Sequence, residues 1–137
     1  MVHIPVSARI KNQRGEKMKK TVFVVDDEPD IRESVKTVLE QEGYEVLTAE
    51  NGEQFLKKME KSSPDLVLLD IMMPGLATKD ILEKLRGVSK DAKIIFLTVV
   101  RLSDDEKRKL LKMANIIDYI TKPFDLDDLV ARVHKAA

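Results

Sequence analysis

Four short apolar runs punctuate the chain, and each gives way to polar residues. Residues 22–25 end at Asp26 and Asp27, 66–69 at Asp70, and 94–97 at Thr98. A fourth run, 117–120 with Asp118 inside it, is followed by Lys122 and Pro123. With a more mixed segment at 44–49, these runs predict five strands, over 21–25, 44–49, 65–69, 92–97 and 117–120. The unbroken apolar stretch 66–69 has the pattern of a central parallel strand, buried on both faces. Between the strands, apolar residues recur at helical spacing. Ile31, Val35, Val38 and Leu39 predict one helix. Phe55, Leu56 and Met59 predict a second, opened by Asn51 and Gly52. Ile81, Leu82 and Leu85 predict a third, Leu110, Leu111 and Ala114 a fourth, and Leu126, Leu129, Val130 and Val133 a fifth.

Punctuation residues set the expected boundaries. Asp27, Thr78, Ser103 and Asp125 are the candidate N-caps, with Glu106 completing a capping box on Ser103. Pro29 suits a first helical turn, where its missing N–H would have no partner anyway. Gly43, Gly87 and Asn115 are the expected stops, Asn115 in the left-handed conformation. Ser62, Ser63 and Pro64 form a breaker, and 72–75 a loop. Five strands alternating with five helices predict an α/β fold. Right-handed crossovers then place helices on both faces of a parallel sheet. In such a sheet ligands bind beyond the carboxyl ends of the strands. Three carboxylates, one hydroxyl and one ammonium are therefore expected at a single edge.

Length and composition narrow the rest. The 137 residues fit one domain with one good core. Mean hydropathy is -0.24, and no stretch approaches the roughly 20 apolar residues of a membrane span. With no cysteine there is no disulfide or thiolate metal site. His3 and His134 stand at opposite ends, which argues against a multi-histidine metal site. The net charge of zero hides an asymmetry. Residues 1–20 carry six Lys or Arg and one Glu, so the remainder carries 18 basic and 23 acidic residues. The basic lead has no aromatic residue to stack a base. Residues 1–18 are expected to be a flexible leader, with translation from Met18 as an alternative start, and 19–137 the domain.

With those residues placed, the chain resembles the response-regulator receiver domains of two-component signalling, over about residues 19–136. Four ordered motifs carry the resemblance: Val24, Val25, Asp26, Asp27, Glu28 and Pro29; Leu68, Leu69, Asp70, Ile71, Met72, Met73 and Pro74; Leu97 and Thr98; and Asp118, Tyr119, Ile120, Thr121, Lys122, Pro123 and Phe124. The resemblance implies a doubly wound, flavodoxin-like (βα)5 sheet of order 2-1-3-4-5. It implies Asp70 as phosphoacceptor for a histidine kinase or phosphotransfer protein. Asp26 and Asp27, with Asp70 and the backbone carbonyl of Met72, would hold Mg2+ or Mn2+. Thr98 and Lys122 would contact the phosphoryl group, and Thr98 with Tyr119 would form the switch. The chain departs from the pattern at Ala77 and Thr78, where Asp–Gly is frequent, and at Val99, where alanine or glycine is usual.

The residue types suit that chemistry. A carboxylate approaching phosphorus is repelled by the phosphoryl oxygens, and a hard cation with oxygen ligands relieves the repulsion. An ammonium and a hydroxyl stabilise the transferred group further. Read singly, Thr98 is a structural residue, Lys122 a surface lysine and Tyr119 a cover for a helix; their joint placement changes the reading. Met72 and Met73 side chains are loop packing, since thioethers suit softer ions. Three functions compete. The first is a stand-alone cytoplasmic phosphoacceptor, itself no enzyme beyond promoting its own phosphorylation and dephosphorylation. It would signal to a downstream protein, without nucleic-acid contact or membrane insertion, and with weak self-association. That output face is expected near Lys107, Lys109, Tyr119, Phe124 and Asp127. The second is a receiver-like binding module that is never phosphorylated. The third is a magnesium-dependent phosphatase, disfavoured because no second carboxylate stands two residues beyond Asp70.

Overall fold

A computed structural model of the chain describes residues 19–71, 77–89, 91–99 and 103–137. The expected leader and the loop 72–75 lie outside the described residues. The elements are β1 (Thr21–Val25), α1 (Pro29–Gln41), β2 (Glu45–Ala49), α2 (Gly52–Met59), β3 (Leu66–Asp70), α3 (Thr78–Val88), β4 (Lys93–Thr98), α4 (Asp104–Leu111), β5 (Asn115–Thr121) and α5 (Leu126–Ala136). All strand pairs are parallel, in the order β2-β1-β3-β4-β5. The expected α/β sheet is borne out, strand order included.

Alternation along the strands divides the core into two clusters. Val22, Val24, Leu66, Leu68, Ile95 and Leu97 pack with Val35 and Leu39 of α1 and Leu129 and Val133 of α5. Phe23, Val25, Val67, Leu69, Ile94 and Phe96 pack with Phe55 and Met59 of α2 and with Ile81, Leu82 and Leu85 of α3. Each fully buried side chain of this size contributes about 1.5–3 kcal/mol. All five residues of β3 are buried, as expected of a strand covered on both faces.

Some of the expected caps and stops form and others are displaced. Asn51 caps α2 through the Gln54 N–H, Ser103 and Glu106 form the full capping box on α4, and Asp125 caps α5. Gly43 takes φ 93° after α1, a conformation open to glycine at no steric cost. Asp27 is not the cap of α1. Glu28 holds that position, and its N–H is taken by the Asp26 carboxylate at 2.9 Å. Ala77, not Thr78, occupies the N-cap of α3; the Thr78 hydroxyl instead donates to the Ile71 carbonyl at 3.1 Å. Gly87 does not stop α3, which runs on to Val88 and closes with the Ser89 N–H on Leu85 at 2.7 Å. Asn115 is not left-handed: it opens β5 opposite Lys93. The turn before it is closed by the N–H groups of Met113 and Ala114 on the Leu110 carbonyl, so no positive φ is needed.

β5 begins two residues before the predicted start and contains an irregularity. Ile94 pairs with Ile116, but Ile95 pairs with Asp118, so Ile117 is an extra residue. Such a bulge reverses the parity of every residue beyond it. Ile116 accordingly faces the α2–α3 cluster while Ile120 faces the α1–α5 cluster. Ile117 itself is left 40% exposed.

Candidate functional site

The carboxyl ends of four strands converge at one edge of the sheet. β1 delivers Asp26 and Asp27, β3 delivers Asp70, β4 delivers Thr98, and the turn after β5 delivers Lys122. Of the polar residues among those described, only Asp26, Asp70, Thr98 and Lys122 are buried, each less than a tenth exposed. Desolvating polar groups in this way is costly unless they are paired. All four belong to the set marked out by the sequence.

Lys122 is the hub. Its Nζ lies 2.6 Å from Asp26 Oδ2 and 3.2 Å from Asp70 Oδ2. Its backbone N–H donates to the Thr98 carbonyl at 2.7 Å, which ties the lysine turn to the end of β4. The Lys122–Pro123 peptide is cis. Burial works against the ammonium. The bond and charge of Asp26, followed by those of Asp70, outweigh it and hold the lysine above its ordinary pKa. Burial pushes the Asp26 carboxyl upward, and the Asp70 charge adds to this against the opposing bonds from Lys122 and Glu28.

Asp26, Asp27 and Asp70 each offer an oxygen within 4.8 Å of the others. Asp27 is exposed while its two companions are buried, leaving one side of the cluster open to water. An all-oxygen, partly hydrated site suits a hard divalent cation that keeps some of its own waters. The proposed fourth ligand, the Met72 carbonyl, lies outside the described residues.

Three nearby residues make contacts that the sequence alone did not assign to them. Glu28 Oε1 lies 3.6 Å from Lys122 Nζ. Arg32 Nη1 donates to the Asp26 carbonyl at 2.7 Å. The Thr78 hydroxyl holds the Ile71 carbonyl, one residue past Asp70. Glu28 adjoins the acidic pair, and Arg32 stands one helical turn after Glu28; that spacing was the available signal.

Tyr119 sits opposite Phe96 in the ladder, their rings 5.7 Å apart and edge-on. Its hydroxyl is buried with no hydrogen-bond partner among the described residues, and burial raises its pKa. Lys107 Nζ lies 5.0 Å from the ring centroid. The other residues expected on the same face are more dispersed. Phe124 lines a cleft with Asp30 and Ile31 on the α1 side. Lys109 lines another with Lys79 between α3 and α4.

The sequence model of the response regulator receiver domain matches residues 22–134. The chain belongs to that family. This receiver domain is 40% identical over 117 residues to the alkaline phosphatase synthesis transcriptional regulatory protein PhoP of Bacillus subtilis, covering 85% of the chain and 48% of the relative. It is 41% identical over 116 residues to the phosphate regulon transcriptional regulatory protein PhoB of Pseudomonas aeruginosa, covering 83% and 50%. The chain thus spans about half the length of these curated relatives. Among solved structures it is similar to the response regulator TrrA of Thermotoga maritima, crystallised in complex with Mg2+-BeF. The identity is 44% and the TM-score 0.71, covering 86% of this chain and 99% of that one. The chemotaxis protein CheY4 of Vibrio cholerae superposes with TM-score 0.78 at 27% identity, covering 87% and 99%.

Proposed function

We propose that residues 19–137 form a phosphoacceptor unit that takes a phosphoryl group on Asp70 from the phosphohistidine of a histidine kinase or phosphotransfer protein. One observation carries the reading: Asp70 is buried at the end of β3, with Lys122 at 3.2 Å and two further carboxylates gathered around it. Asp26, Asp27, Asp70 and the Met72 carbonyl would hold Mg2+ or Mn2+; the TrrA complex with Mg2+-BeF supports the choice of cation. When bound, the cation neutralises charge on the phosphoryl oxygens. An Asp70 oxygen attacks phosphorus, the bond to the donor's imidazole nitrogen breaks, and the imidazole leaves. Lys122 then turns from the carboxylates to the phosphoryl oxygens, and Thr98 donates its hydroxyl to another. The same groups would orient water for hydrolysis of the acyl phosphate.

The output is a shift between two packings. Thr98 moving toward the phosphoryl group would open space beside Tyr119 and alter the surface of α4, β5 and α5. A downstream protein, or a second copy binding weakly, would read that surface. Among the described residues no helix is long and apolar enough to cross a membrane, in keeping with a site of action in the cytoplasm. Incubation with a small phosphodonor and Mg2+, followed by intact mass and peptide mapping, tests the reading. One phosphoryl group on Asp70, absent from Asp70→Asn, is the expected result. A phosphoryl group on any other residue overturns it, and none under any donor favours the binding-only module.

Val99 follows Thr98 at the mouth of the site and is 58% exposed. Val99→Ala is expected to speed phosphorylation by a small donor severalfold in a stopped-flow assay. Unchanged kinetics would show that access past this side chain is not limiting.

A further inference from the structure

We propose that Arg32, in the first turn of α1, is a positioning residue for the acidic pair. It fixes the peptide joining Asp26 to Asp27 and so sets where Asp27 presents its carboxylate. The inference rests on the metal-dependent reading above.

β1 pairs with β2 only as far as Val25 opposite Ala49. One more backbone bond follows, from the Asp26 N–H to the Ala49 carbonyl at 3.1 Å, and the chain then leaves the sheet. The Asp26 side chain is held on both oxygens, by the Glu28 N–H and by Lys122. Asp27 is exposed, and its place is inherited from the backbone before it. That backbone is gripped at the Asp26 carbonyl, where Arg32 Nη1 donates at 2.7 Å.

Arg32 is itself well placed to hold still. Its side chain is 17% exposed, and Nη2 lies 3.9 Å from Glu50 Oε2. The Glu50 N–H is bound in turn by Gln54 Oε1 at 2.9 Å. One guanidinium therefore spans α1, the end of β1 and the turn from β2 to α2. A planar fork with fixed donor directions can do this, whereas a lysine offers a single mobile point charge. The charge of Arg32 acts the other way: a cation beside three carboxylates weakens their attraction for Mg2+. Positioning and charge thus predict opposite consequences of removing the side chain. Groups behind the direct ligands typically change metal affinity by about 10–100-fold when lost.

Mg2+ affinity of the full chain, measured by calorimetry for wild type, Arg32→Met and Arg32→Lys, decides the matter, with melting temperatures of the metal-free proteins alongside. Arg32→Met is expected to bind Mg2+ about tenfold more weakly despite losing a positive charge. Arg32→Lys, which keeps the charge without the fork, should also bind more weakly, by a smaller factor. Arg32→Met binding as tightly as wild type, or more tightly, overturns the proposal whatever its melting temperature. If Arg32→Met does not fold, unchanged affinity in Arg32→Lys overturns it instead. Wild-type binding with unaltered variants would leave the metal reading standing and remove only this inference. A wild type that binds no Mg2+ would remove both.

Discussion

Lys122→Ala is expected to lose about 3 kcal/mol of folding stability at neutral pH. The lysine is the cation between two buried carboxylates, Asp26 at 2.6 Å and Asp70 at 3.2 Å. Removing one partner of a buried ion pair leaves the other charge desolvated and uncompensated, which costs far more than the pair contributes. The deficit should depend on pH in a definite direction. Without the ammonium, the Asp26 carboxyl, already raised by burial and by Asp70, should rise further. A carboxyl whose folded pKa lies above its unfolded value destabilises the fold at high pH, and the penalty fades as pH falls through the folded pKa. Urea melts of Lys122→Ala and wild type should therefore converge as pH falls. A difference constant with pH would assign the loss to packing of the lysine stem. Phosphorylation of the variant should also be slow, because the transferred phosphoryl group loses its ammonium.

Mg2+ is expected to raise the melting temperature of the wild-type protein, and Asp27→Ala to abolish the rise. Three carboxylates with oxygens within 4.8 Å repel one another when ionised. A cation that binds only the folded cluster stabilises it by mass action, by about 2.7 kcal/mol at 100 times its dissociation constant. Asp27 is the exposed member, so its loss should remove a ligand without disturbing the core. Asp70→Asn takes one charge out of the cluster and should be more stable than wild type in the absence of metal. Equal stabilisation of wild type and Asp27→Ala by Mg2+ would move the cation elsewhere.

What could be read from the chain followed the strength of each physical signal. The runs at 22–25, 66–69 and 94–97 are wholly apolar and sharply ended, because strands buried on both faces admit polar residues only at their ends. Their ends located Asp26, Asp70 and Thr98 before any geometry was known. Lys122 was found through the motif around it, since a lone lysine usually reads as surface. Arg32 and Glu28 were missed for that reason: charged residues at a helix start look solvated until the fold brings them against a strand end. Asp27, Thr78 and Asn115 had the right chemistry for caps and stops. Other contacts decided those positions: Glu28 became the cap of α1 with its N–H on the Asp26 carboxylate, and Asn115 was drawn into the ladder opposite Lys93. The bulge in β5 left no trace in periodicity, because the strand is too short to establish a phase and then visibly lose it.

That bulge has a bearing on how the fold can vary in length. β5 spends seven residues where β4 spends six, so one residue of the strand is surplus to the ladder. Shortening the chain at Ile117 would draw the strand straight and keep Tyr119 against Phe96 and Thr121 beside Thr98. Lengthening it by one would find no slack, and would turn the tyrosine to the opposite layer or drag Lys122 away from the carboxylates. The strand that carries the ammonium into the site is thus built to tolerate a deletion and to resist an insertion.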